Sequence, residues 1–178
     1  MKTIPEVPRM TKSKVAAERA LQIWQFMQDE LVRVVTPLTN EQMNVRIAPN
    51  VRTLGEQAEH IVRGRALWVH KVVGDPSLEP MMNWDEPDDP MRSAAEVVTG
   101  LQHTWHILSA YIEPSTTNDP GMPGLMSEQE KEGPRTVWGM LDHDLCHAGE
   151  LSLMLGVLGL ETPEFSAAIV QELILKRL

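Results

Sequence analysis

Cysteine is nearly absent from this chain of 178 residues. The only one, Cys146, permits no internal disulfide and fits a reducing cytoplasm. Aromatic residues are scarce, and five of the eight are Trp. Basic residues are in deficit, 16 Lys and Arg against 25 Asp and Glu. The resulting net charge of −9 argues against nucleic acid as a partner. No run of eighteen apolar residues occurs, so no membrane-spanning helix is expected. The opening MKTIPEVPRMTKSK carries charge without an apolar core, so it is not read as a signal peptide. Period-two alternation and internal repeats are missing too, which leaves no candidate strand.

What is present is helical periodicity. After a loose arm over residues 1–10, a first helix should start near Thr11 or Ser13 and run to about Val35. Its stripe is Val15, Ala16, Leu21, Trp24, Met27, Gln28, Leu31 and Val35, and Thr36-Pro37 ends it. A short helical turn follows at Asn40–Asn44. The second helix should span Thr53 to Val73, opened by a Thr53–Glu56 capping box and closed by Gly74. Ser93 and Glu96 open a third helix in the same way, expected to run to about Ile112. The fourth covers Thr136–Leu160, and a last one starts at Thr162-Pro163 and continues to about residue 177. Eleven Met suit an adaptable core or a pliable apolar pocket.

The expected architecture is therefore all-α: one domain over 1–178, a four-helix bundle with an additional C-terminal helix over 163–177. Two connections are long for a bundle, 75–91 with four prolines and the acidic 114–134, and neither is expected to be regular. In the first, Trp84, Met81 and Met82 either cover a pocket mouth or, in the reading we favour, fill a groove in the bundle.

The stretch TVWGMLDHDLCHAGELSLMLGVLGL concentrates the chemistry. As a helix it aligns Met140, His143, His147, Leu151 and Met154 on one face. Two imidazoles at i, i+4 can hold one metal ion from the same side, although two unrelated histidines, one in the core and one at its edge, are the alternative on spacing alone. His103 and His106 form a rival i, i+3 pair, read as surface or core-edge residues.

LTNEQMN after the first helix, TLGEQAEHIV in the second and HDLCHAGELSLMLGVLG in the fourth occur in this order. Together they resemble the DinB superfamily of bacterial metalloenzymes over roughly residues 11–160. The shared pattern is a histidine after a T/S-[LIV]-G-E start, closed by H-x-x-x-H-x-G-[EQ]. The resemblance implies a DinB/YfiT-like bundle in which three histidines bind a divalent metal at one end. By position these are His60, His143 and His147. The chain departs from the pattern at Ala148, where arginine is common in the family.

Three imidazoles without a carboxylate leave coordination positions open, the catalytic arrangement of zinc, and nickel suits the same donors. Among relatives of this kind are enzymes that use low-molecular-weight thiols such as mycothiol or bacillithiol. The resemblance thus implies a thiol-dependent S-transferase or isomerase acting on a small-molecule substrate, with pairing into a homodimer. A metal-dependent hydrolase, or a metal-binding or stress-related protein without catalysis, are the other readings. Glu150, one turn beyond His147, is the candidate polar or catalytic group, with a solvated or core-edge role as the alternative. Asp144 or Asp142 is expected to accept an N–H from a ligand histidine. Glu59 is expected to be solvated. Cys146 lies about 60° round the helix from His143, so its sulfur should turn into packing and not act as a nucleophile. H-D-x-x-H approximates the zincin motif, but zincins need a sheet beside the helix. A ferritin-like site needs two E-x-x-H pairs, and the chain has none.

Overall fold

A computed structural model describes residues 12–84, 90–118 and 132–165, with side chains over 21–84, 90–112 and 139–165. The described residues are helical, in the order α1 (Lys12–Val35), α2 (Asn40–Met43), α3 (Leu54–Val73), a 3-10 helix (Pro76–Met81), α4 (Ala94–Asn118) and α5 (Glu132–Val157). No strand occurs among them beyond an isolated bridge between Arg46 and Thr53. The all-α expectation holds. The final expected helix, 163–177, lies almost wholly outside the described residues, as does the N-terminal arm.

Local chemistry sets the helix ends. Thr39 and Gln42 form a reciprocal capping box at α2, and Thr53 and Glu56 form another at α3. Ser93 and Glu96 exchange the same pair of contacts before α4, at 3.4 and 2.8 Å. Gly74 closes α3 in the left-handed conformation, φ 71°, where a side chain would be strained. Gly159 at φ 68° performs the same task after α5, with the Leu160 N–H donating to Leu155 O at 2.9 Å.

Four boundaries differ from the sequence reading, one of them the end of α5, at Val157 and not Leu160. Residues 76–81 are regular: Asp75 accepts from the Ser77 N–H at 2.9 Å, Pro76 occupies the first turn, and buried Leu78 anchors the segment. A short 3-10 helix tolerates this proline content because few of its backbone donors are needed. Helix α4 continues through Pro114 to Asn118, since a proline removes one backbone donor and not the whole ladder. Helix α5 starts at Glu132 rather than Thr136, because Pro134 sits in a first turn whose N–H groups have no intrahelical partner anyway.

Helix α3 is central, packed against α4, α5 and the 3-10 helix, while α4 also packs on α1. Trp24, Met27 and Leu31 from α1 meet Ile61, Val62 and Val69 from α3, with Leu101 and Leu108 from α4 and Met140, Leu151 and Leu155 from α5. Five of the methionines, at 27, 43, 81, 140 and 154, lie in this core. Trp84 fills a groove: its ring lies over Gly100, where a Cβ would come within 2.7 Å, and the Arg92 guanidinium stacks 4.7 Å from its centroid.

Candidate metal centre

The α3–α5 seam brings the three histidines together. His60 lies in the second turn of α3, whose start is fixed by the Thr53–Glu56 capping box. His143 and His147 face it from successive turns of α5. The ring centroids are 5.3 Å apart for His60 and His143, 4.5 Å for His60 and His147, and 4.4 Å for His143 and His147. One ring nitrogen from each lies within 4.8 Å of the others, a spread that a single ion can span. All three are partly buried. The donors are imidazoles alone, which suits zinc, nickel or copper better than magnesium or calcium.

Gly64 makes room for this arrangement. It follows His60 by one turn of α3, and a Cβ there would lie 2.2 Å from Cε1 and 2.5 Å from Nε2 of His143. The imidazole therefore rests on bare backbone.

His147 is held from its other side. Its Nδ1 is 2.6 Å from Glu150 Oε2, and Gln57 Nε2 donates to the same carboxylate oxygen at 2.9 Å and to His147 O at 3.2 Å. The His147 contact, foremost, holds the Glu150 carboxyl below its usual range, against a smaller upward push from burial. With Nδ1 engaged, Nε2 is the nitrogen of His147 left to face the cluster. A cleft of about 580 Å³ opens beside Glu150 and Gln57, bordered also by Arg46, Arg52, Leu153 and Met154.

Beneath His143 lies a charged pair with no access to solvent. Asp144 accepts from Arg65 Nε at 2.6 Å and from Trp24 Nε1 at 2.8 Å, both through Oδ2. Arg65 also donates through Nη1 to Gln28. Both side chains of the ion pair are fully buried. Asp144 Oδ1 is 3.6 Å from His143 Nδ1. These two atoms and Arg65 Nη2 are the buried side-chain atoms without a hydrogen bond among the described residues.

Other expectations resolve as follows. Asp142 is exposed, and the nearest carboxylate to a ring nitrogen is that of Glu150. Glu59 is not solvated: it is 3 % exposed and accepts from the Arg92 backbone N–H at 2.6 Å and from Nη1 at 3.4 Å. It faces the segment that enters α4, so a charge beside His60 is paired and not hydrated. Cys146 is exposed, contrary to the packing expected of it. The buried stripe of α5 runs through Met140, Asp144, Ala148, Leu151 and Leu155, with His143 at its edge, and Cys146 lies about 60° further from that stripe. His103 stays apart from the cluster, its Nε2 2.8 Å from Ser77 Oγ, and His106 is exposed on α4.

Gln57, Gly64 and Arg65 were not singled out by sequence reasoning. Gln57 and Gly64 flank His60 at i−3 and i+4 on one helix face, a spacing that can be read without a structure. Arg65 is a charge inside an apolar run, a signal that becomes specific only once Asp144 is seen beside it.

The DinB superfamily model matches residues 23–151, well over half of the chain. The chain belongs to the DinB superfamily. Within the matched DinB stretch lie all three histidines, Gly64 and Glu150. No curated protein and no solved structure matches this chain.

Proposed function

We propose that His60, His143 and His147 bind one divalent ion, zinc or nickel, and that this DinB protein is a thiol-dependent S-transferase or isomerase. The observation that supports this reading is the donor set: three imidazoles converge from two helices, with no carboxylate among them. Such a set leaves at least one position for an exogenous ligand. The bound ion supplies Lewis acidity, which lowers the pKa of a thiol or water placed beside it. In this reading the protein's own residues bind and orient. His147 is aimed by Glu150, and Glu150 is steadied by Gln57, so the carboxylate acts on a ligand histidine and leaves the nucleophile to come from solution. Cys146, exposed about 60° round α5 from His143, has no part in it.

The partners are then a small-molecule substrate and a low-molecular-weight thiol such as mycothiol or bacillithiol, in a cytoplasmic homodimer. In the transfer the thiol S–H bond breaks and its proton leaves to solvent, the thiolate sulfur forms a bond to an electrophilic carbon, and that carbon's bond to its leaving group breaks, the group departing with the bonding pair. No helix among the described residues is long and apolar enough to cross a membrane.

Metal analysis tests the first half. Purified protein should carry one ion per chain, and each of His60→Ala, His143→Ala and His147→Ala should fall well below that, while His106→Ala should match wild type. Full occupancy in His60→Ala would show the third ligand to be another group. Cobalt tests the second half. Added thiol should give the cobalt protein a sulfur-to-cobalt absorption band, and Cys146→Ala should keep it. If neither mycothiol, bacillithiol nor glutathione produces the band, thiol chemistry is wrong and hydrolysis or non-catalytic metal binding takes its place.

A further inference from the structure

The proposed metal site uses the inward faces of the histidines and leaves the Arg65–Asp144 pair without a task. Stability is a poor reason for such a pair. Taking two charges out of water costs more than most ion pairs return, and apolar residues of similar volume usually serve as well. The pair also sits in a web drawn from three helices: Trp24 and Gln28 on α1, Arg65 on α3, Asp144 on α5.

Its hydrogen bonds are unevenly divided. Both donors on Asp144, Trp24 Nε1 and Arg65 Nε, address Oδ2. Oδ1 is buried without a hydrogen bond, and so is Nδ1 of His143, 3.6 Å away. Two unsatisfied polar atoms, buried and a few tenths of an ångström beyond bonding distance of each other, are complementary if Nδ1 carries the proton. Nδ1 is also the ring nitrogen nearer the helix backbone, the one that a partner on the same helix reaches. The Cε1 edge of the ring lies against Gly64 on α3, the helix that carries His60, with Nε2 the nearer nitrogen, 2.5 Å from a Cβ built there against 3.0 Å for Nδ1.

We propose that Asp144 is a positioning residue for His143: Oδ1 takes the Nδ1–H, Nε2 is left as the donor to the ion, and Arg65 with Trp24 locks the carboxylate in that orientation. Helix α5 then supplies two ligands and the carboxylate behind each, Asp144 for His143 and Glu150 for His147. This rests on the metal reading above.

Asparagine at 144 separates positioning from shape. Its amide oxygen would turn to the Oδ2 side, where Arg65 and Trp24 both donate, and its NH2 would then confront His143 Nδ1. Donor would meet donor, so the imidazole would be driven to the tautomer whose proton sits on Nε2, the nitrogen needed for the ion.

The experiment takes full-length protein, with zinc as the probe. Nitrogen-15 spectra of the imidazoles in zinc-loaded wild type should show His143 protonated at Nδ1 and bound through Nε2. Asp144→Asn should bind zinc about tenfold to a hundredfold more weakly in chelator competition. Its metal-free His143 should report the other tautomer, and its helical circular dichroism should be unchanged. His106→Ala should bind as wild type. Zinc affinity of Asp144→Asn within twofold of wild type, or His143 bound through Nδ1, overturns this inference and leaves the metal reading standing. Wild type that takes up no zinc overturns both. Should Asp144→Asn fail to fold, the wild-type imidazole spectrum decides alone.

Discussion

Gly64 shows how one missing atom can matter more to a site than to the fold around it. In the interior of α3, alanine would be favoured over glycine by about 1 kcal/mol on helix propensity. The added Cβ would stand 2.2 Å from Cε1 of His143, so the ring must move. Because that ring ends a side chain at the edge of the core, it can yield without opening a cavity. Gly64→Ala should therefore keep its stability within about 1 kcal/mol of wild type. Zinc affinity should fall by about tenfold or more, the scale of a disturbed ligand shell. Equal zinc affinity by chelator competition, with the fold intact, would show that the close approach is incidental. Residues of this kind are only half legible in a sequence. The i, i+4 spacing of His60 and Gly64 can be seen, but not that His143 occupies the space a side chain would take. The Asp144–Arg65 contact is less legible still, since its partners are 79 positions apart.

Element boundaries were legible where a short-range rule governs them. The capping boxes at Thr53 and Ser93 and the glycine at 74 mark their helix ends by contacts spanning a few residues. The reading weakened at the two ends of the acidic stretch 114–134, because Pro114 and Pro134 both lie within helices. It also misjudged Cys146, whose side of α5 depends on where the buried stripe is centred. Beyond α5, the chain at 161–164 is tied to α1 by charge. Glu30 grips Arg33 through both carboxylate oxygens, at 2.9 and 2.7 Å, and accepts from the Glu164 N–H at 2.7 Å, while Arg33 donates to Thr162 O at 3.1 Å. The Arg33 guanidinium, chiefly, holds the Glu30 carboxyl below its ordinary 4.5. A group depressed in the folded state stabilises it fully above the unfolded value, and that contribution is lost as pH falls through the lower folded value. Amide exchange at Glu164 should thus gain no acid sensitivity from this contact between pH 5 and 8, roughly, and lose protection below about 4.5. Glu30→Gln should lack that acid step, and an identical step in the variant would assign it to another group.

For the whole molecule, the core is continuous without any ion: α3 is buried against α4 and α5, and α4 against α1. An ion bound at the three histidines would add stability by linkage, about 2.7 kcal/mol at a hundredfold excess over Kd. Chelator should therefore lower the melting temperature while the far-ultraviolet spectrum stays helical. Collapse of that spectrum at room temperature would mean that the ion is needed for folding itself. The seam at which the histidines meet has a mechanical side as well. Helix α5 has its main backbone neighbour in α3, and Asp144 on α5 is tied to α1 by the Trp24 Nε1–H, while Arg33 on α1 pairs with Glu161 just beyond α5. Two of the three imidazoles travel with α5 and one stays with α3. A bound ion would act there as a clasp, since the helices could not part without breaking coordination on one side or the other. The moving half of the clasp would be the helix whose departure exposes Asp144 and Arg65 to water.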